Sequence, residues 1–221
     1  MKNVLIIGAT SRIAQLATEM LLKDNNINLT LFLRNKSKLT DPSIKARIIV
    51  GDATNTSDLA AAIKDQDVVY ASLAGNVITE AKNIVSEMDN QKVSRLIWTS
   101  SLGIYDEVPG KFGILNNAAL PEYLKVYREA ATIIEKSDLD YTIIRPAWLT
   151  NDDEVSYETT HSHDSFKGTE VSRKSVAAYA TKIIQNPEQD MRDSVGVNKP
   201  NTDGDRPRKE VMLANGFDPN M

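Results

Sequence analysis

The 221-residue chain has no cysteine and only two histidines. Disulfides, thiolate metal centres and a cysteine nucleophile are thereby excluded, and the composition is compatible with a reducing cytoplasm, where we expect the protein to reside. Basic charge is scarce as well: 26 Lys and Arg against 30 Asp and Glu give a formal net charge of -4 and a pI near 5.3. No basic stripe remains for nucleic acid or an anionic membrane surface, so neither is expected as a partner. No apolar run approaches the roughly 20 residues of a membrane helix. Met1 leads straight into an apolar strand, with no basic-then-apolar leader between them. Length suits one sizeable core, and no repeat, low-complexity tract or composition shift divides it, so we expect one domain over residues 1–221.

Over the first two thirds, apolar runs alternate with amphipathic stretches. Val4–Ile7, Asn28–Leu33, Ala46–Val50, Asp67–Ala71, Arg95–Thr99 and Tyr141–Ile144 read as strands. Arg12–Lys23, Ser57–Ile63, Val77–Met88 and Glu122–Lys136 space their apolar residues at three and four and read as helices. This is the pattern of an α/β fold with a doubly wound, Rossmann-like parallel sheet and helices on both faces, whose ligands lie at the carboxyl ends of the strands. Residues 151–221 are expected to build a small lobe on the substrate side. Within them we expect a short hairpin around Tyr157–Thr160 and Phe166–Thr169, a helix Ser172–Ile184 capped by Ser172, a strand Val195–Val197 and a loop Asn198–Arg208.

The first strand runs into Gly8-Ala9-Thr10-Ser11-Arg12-Ile13-Ala14. A strand, a tight small-residue turn and a helix N-terminus make a phosphate site. Gly8 permits the turn, Ser11 is small enough for close approach of a pyrophosphate, and Ala14 allows tight helix–sheet packing, with Thr10, Arg12 and Ile13 completing the loop. The second strand ends in Leu33-Arg34-Asn35-Lys36, where an NAD-preferring site would carry an acidic residue. Arg34 can instead hold a 2′-phosphate, with Arg12 closing from the other side, so NADP is expected over NAD. Asp52 can accept from the adenine amino group while Ala53 keeps the base pocket open, and Ser72-Leu73-Ala74-Gly75 offers small residues beside the cofactor ribose.

Taken together, IIGATSRIA, FLRN, GDAT, the Trp98-Thr99-Ser100-Ser101 strand end and LDYTIIRPAWLT resemble the atypical short-chain dehydrogenase/reductases of the NmrA-like or NAD(P)H-binding group, with a weaker extension through GTEVSRKSVA. Some members of that group are flavin reductases or epimerases. The resemblance implies the Rossmann-like fold and a bound NADP, and it adds Ser100, Pro146 and Ala147 to the cofactor-contacting set. In catalytic members a serine ends the fifth strand and a Tyr-x-x-x-Lys pair follows on the next helix, lysine lowering the tyrosine pKa and holding the ribose. Ser101 matches the serine and Tyr123 the tyrosine, but Tyr127 stands where the lysine belongs. Lys125 points to another side of the helix. With no cation beside it, Tyr123 has little reason to ionise far below the ordinary value of about 10.

Hydride transfer to a flavin, quinone or similar planar acceptor needs stacking and orientation rather than an activated tyrosine. The resemblance and the missing lysine therefore imply an NADPH-dependent reductase acting on such an acceptor, as a monomer or weak homodimer. A non-catalytic NADP(H)-sensing regulator is the alternative, and a sugar-nucleotide epimerase or dehydratase is disfavoured because it needs the activated tyrosine. Trp148 is expected to pack the C-terminal segment over the sheet or to wall the cleft. Arg145 is expected to anchor loops, and Tyr105 to form part of a wall. His161-Ser162-His163-Asp164 lacks the ligands for a zinc site and reads as loop. The acidic run Asp152-Asp153-Glu154 reads as a solvated face.

Overall fold

A computed structural model describes residues 1–41, 43–162 and 164–219. Each of the six apolar runs forms a strand: β1 (Lys2–Ile7), β2 (Ile27–Leu33), β3 (Arg47–Val50), β4 (Val68–Ala71), β5 (Arg95–Thr99) and β6 (Asp140–Pro146). They are parallel, in the order β3-β2-β1-β4-β5-β6. Beyond β6 lie β10 (Asp193–Asn198), parallel to it, and β8 (Glu158–Thr160), an antiparallel edge. Strand order reverses between β1 and β4, which opens a crevice at their carboxyl ends.

Side chains alternate across the sheet. Val4 and Ile6 enter one core, packed by α1 (Arg12–Leu21) and α6 (Arg173–Gln185). Leu5 and Ile7 enter the other, under α2 (Thr56–Ile63), α3 (Val77–Gln91) and α5 (Pro121–Glu135). All four strand residues are fully buried, as a sheet covered on both faces requires. This is the doubly wound, Rossmann-like fold expected from the sequence. Helix starts are fixed by side-chain caps: Ser11 Oγ accepts from Ala14 N at 3.1 Å, and Ser172 Oγ from Ser175 N at 2.9 Å.

Two features depart from the sequence reading. The expected hairpin does not form, because Glu158–Thr160 pairs with β10 and Phe166 is drawn 3% exposed into the core. Gly196 of β10 makes room for that ring, since a Cβ there would lie 2.7 Å from it. The neighbouring Glu170–Ser172 (β9) pairs in parallel with Trp148–Thr150 (β7) as a separate ribbon. Two helices were not anticipated, α4 (Gly110–Ala119) and α7 (Lys209–Ala214). The acidic run is a solvated face as expected, with Asp152 and Asp153 exposed, and it carries surface ion pairs: Asp152 with Arg208 at 2.7 Å, Asp153 with Lys174 at 2.5 Å and Glu154 with Lys199 at 2.7 Å. Those pairs pin the start of the 151–168 excursion to α6 and to the segment after β10.

Candidate active site

The crevice begins at Gly8, which turns with φ +77°, and a Cβ there would lie 2.3 Å from the Ser72 carbonyl oxygen. Only glycine lets the β1 and β4 loops approach so closely. Ser11 Oγ and Ser72 Oγ then join the two loops at 2.7 Å. The Gly8 and Ala9 amides both donate to Phe32 O, at 3.1 and 3.2 Å. The amides of Arg12 and Ile13 head α1, where no intrahelical acceptor exists.

A cavity of about 250 Å³ lies above these loops. It gathers Gly8, Thr10, Ser11, Arg34, Ala53, Leu73 and Ala74 from the expected set, and adds Phe32, Lys38 and Glu80, which the sequence reading did not single out. Arg12 and Ile13 do not line it: Ile13 is buried at 6% exposure, while Arg12 is exposed and close enough to Arg173 to lower that arginine's pKa after burial has done so. Asp52 and Gly75 flank the cavity without lining it. Asp52 Oδ1 accepts from Thr54 N and Oγ1, both at 2.8 Å, and these bonds hold its carboxyl below the usual range.

A second cavity, of about 280 Å³, sits at the ends of β5 and β6. Ser100, Ser101, Tyr123, Pro146, Ala147 and Trp148 converge there, joined by Phe217 from beyond α7. Ser100 Oγ is buried without a partner among the described residues. Ser101 Oγ donates to Leu102 O at 3.1 Å. Trp148 does both things expected of it: it faces the cavity, and it packs 4.9 Å from the Phe217 ring while Nε1 donates to Asn116 Oδ1 at 2.9 Å.

Tyr127 links the two cavities. Its ring stacks on Tyr123 at 4.1 Å, and its hydroxyl donates to Leu73 O at 2.9 Å, so it braces the loop after β4. Burial pushes the 3% exposed Tyr127 above its ordinary pKa, and partial burial raises Tyr123, which is 40% exposed, in the same direction. Thus the residue in the lysine position supplies a neutral brace. Arg145 anchors loops as expected: fully buried, it pairs with Glu107 and donates to Ser194 Oγ and O, at 3.0 and 3.1 Å. Glu107 also accepts from the Gly103 and Tyr105 amides at 2.9 Å, fixing the β5 loop. Tyr105 lines neither cavity: half-buried, it packs against the core, donating to Glu135 at 2.5 Å with Arg128 over its ring. His161 pairs with Asp193 at 2.5 Å, and His163 lies outside the described residues. Among the described residues no group of three or more His, Cys, Asp or Glu is arranged to hold a metal, and no helix is long and apolar enough to cross a membrane.

Fold and crevice define a Rossmann-type nucleotide-binding protein. The profile of the NAD(P)H-binding family matches residues 8–187, and the chain belongs to that family. It is similar to a Rossmann-fold NAD(P)-binding family protein from Shigella flexneri, 43% identical over 94% of this chain and 98% of that one, with a TM-score of 0.82. A short-chain dehydrogenase/reductase from Veillonella parvula, solved in complex with NADP, is 29% identical over 93% of this chain and 98% of that one, with a TM-score of 0.87. ChuY from Escherichia coli O157:H7, an anaerobilin reductase, shares the fold at 19% identity over 92% of this chain and 100% of that one, TM-score 0.80. No curated protein gives a match. The resemblance to atypical short-chain dehydrogenase/reductases therefore holds, and with it an NAD(P)H-binding, oxidoreductase-like fold. The first cavity fits a dinucleotide on its own features: the cradle a Cβ would fill at Gly8, the Arg12 and Ile13 amides at the start of α1, two cations, and the orphaned Glu80 Oε2.

Proposed function

We propose that the chain is an NADPH-dependent reductase that passes hydride to a flavin, quinone or similar planar acceptor. The observation that carries this reading is the second cavity: walled by Tyr123, Trp148 and Phe217, it adjoins a tyrosine pair with no lysine in the family position. Thr10, Ser11 and the α1 amides would hold the pyrophosphate. Arg34 and Lys38 would hold a 2′-phosphate, which favours NADP, the cofactor bound to the Veillonella relative. Leu73 and Ala74 would border the ribose, with Ser100, Pro146 and Ala147 beside the nicotinamide end. The bound nicotinamide supplies the hydride. Aromatic walls orient a flat acceptor and exclude water from it. Ser101 offers a hydroxyl at the acceptor site, and Tyr123 contributes a ring face more than an acid. An epimerase or dehydratase fits poorly, because burial raises the tyrosine pKa with no cation to oppose it.

Mixing the protein with NADPH and a panel of flavins and quinones, and following absorbance at the nicotinamide band, tests this. We expect turnover with at least one planar acceptor. No oxidation above background across the panel overturns it.

A further inference from the structure

The first cavity contains a carboxyl group with no assigned task. Glu80, in the first turn of α3, is 5% exposed and faces the cavity beside Ala53 and Ala74. Its Oε2 has no hydrogen-bond partner among the described residues. A buried carboxyl without a donor favours its neutral form. Burial raises the Glu80 pKa to about 7, with Arg34 opposing the rise and Asp52 adding to it. Of the other charged or titratable groups nearby, Lys38 after β2 lines the same cavity, Asp58 on α2 accepts from the Asp52 amide, and Tyr127 on α5 lies close enough for Glu80 to raise its pKa further. The remaining wall is small or apolar: Phe32, Ala53 and Ala74 border a space suited to a flat base.

We infer that Glu80, as a carboxylic acid, reads the adenine base of the dinucleotide, its O–H donating to a ring nitrogen and its carbonyl accepting from the adjacent amino group. This rests on the dinucleotide reading of the cavity. Adenine presents an acceptor beside a donor, which a carboxylic acid matches atom for atom, whereas a carboxylate has acceptors only. Asp52, the residue expected to meet the amino group, has Oδ1 engaged by Thr54 and does not line the cavity. Binding must then keep the proton on Glu80, so affinity falls as pH rises through the range where the free protein loses that proton.

The test is calorimetric titration of NADP+ and of its 1,N6-etheno derivative, which lacks the amino hydrogens. The full chain, Glu80→Gln and Glu80→Ala are compared between pH 6 and 9, in buffers of different ionisation enthalpy. Above pH 7.5 we expect the native chain to take up a proton on binding and to weaken about tenfold per pH unit. Glu80→Gln, which carries a donor and an acceptor but no titrating proton, should show no such uptake and should bind more tightly than the native chain at pH 9. The 2′-phosphate titrates at about 6 in every chain and cancels in the comparison. Etheno substitution should cost affinity in the native chain and Glu80→Gln, and much less in Glu80→Ala. Equal proton uptake and an equal etheno penalty in all three chains overturn the inference while leaving the dinucleotide site standing. Absence of NADP+ binding by the native chain overturns both.

Discussion

Arg34 and Glu80 face one cavity with opposite chemistry, and each residue decides a different part of the ligand. Removing the guanidinium should affect only a ligand that carries the extra phosphate. Arg34→Ala is expected to weaken NADPH by about 1–3 kcal/mol more than NADH, the size of a lost charge-assisted contact, measured by nicotinamide fluorescence titration. Equal losses for both would refute the 2′-phosphate assignment. Tyr123 offers a second test at this scale. If its ring orients the acceptor and its hydroxyl moves no proton, Tyr123→Phe keeps kcat within about threefold, whereas an acid–base role costs about 100-fold or more. Arg34 and the Gly8 loop were legible in the sequence because their chemistry follows directly from position after a strand. Glu80 was not: a charged residue in a helix reads as solvated, and only the β4–α3 turn reveals that it faces inward. Phe217 was equally hidden, since nothing local links it to Trp148.

At the scale of elements, the six parallel strands β1–β6 showed in the sequence as continuous apolar runs, and five helices, α1, α2, α3, α5 and α6, as amphipathic stretches. The failures share one cause, which is long-range contact. α4 contains two glycines and little amphipathicity, and Gly113 is there because a Cβ would lie 2.0 Å from Val108 O. β8 exists only because β10, far along the chain, offers an edge. The loop between β5 and α4 is likewise held from a distance, by the buried Arg145–Glu107 pair. Removing one partner leaves a buried charge uncompensated, so Glu107→Ala should cost about 3–5 kcal/mol in urea unfolding. It also strips an acceptor from the Gly103 and Tyr105 amides. A cost under about 1 kcal/mol would show that the loop is fixed by packing alone. Phe217→Ala should raise KM for the acceptor while leaving NADPH affinity unchanged, because Phe217 borders only the second cavity. A parallel loss of NADPH binding would contradict that separation.

For the whole molecule these groups sum to a pH dependence of stability whose sign can be worked out. Hydrogen bonds lower the carboxyl pKa of Asp24, Asp41, Asp52 and Asp152 below 3.8. Their stabilisation is present above that value and is lost as pH falls through the lowered range. Glu80 acts oppositely, since burial raises it from 4.5 to about 7. Its stability is complete below 4.5 and disappears as pH rises through 7. Asp193 raises His161 above 6.5, so that contribution too is lost on the alkaline side. Folding of the ligand-free chain should therefore be most stable at about pH 5, with the melting temperature falling toward both pH 3 and pH 8. Glu80→Gln removes the alkaline cost of ionising a buried carboxyl, which is at most about 3 kcal/mol for a shift of this size. At pH 8 the variant should melt several degrees above the native chain, at roughly 2–4 °C per kcal/mol for a protein of this length. At pH 4.5 the two should melt together. Calorimetric scans of both chains across this range decide the matter, and parallel curves would mean that Glu80 stays ionised in the folded protein.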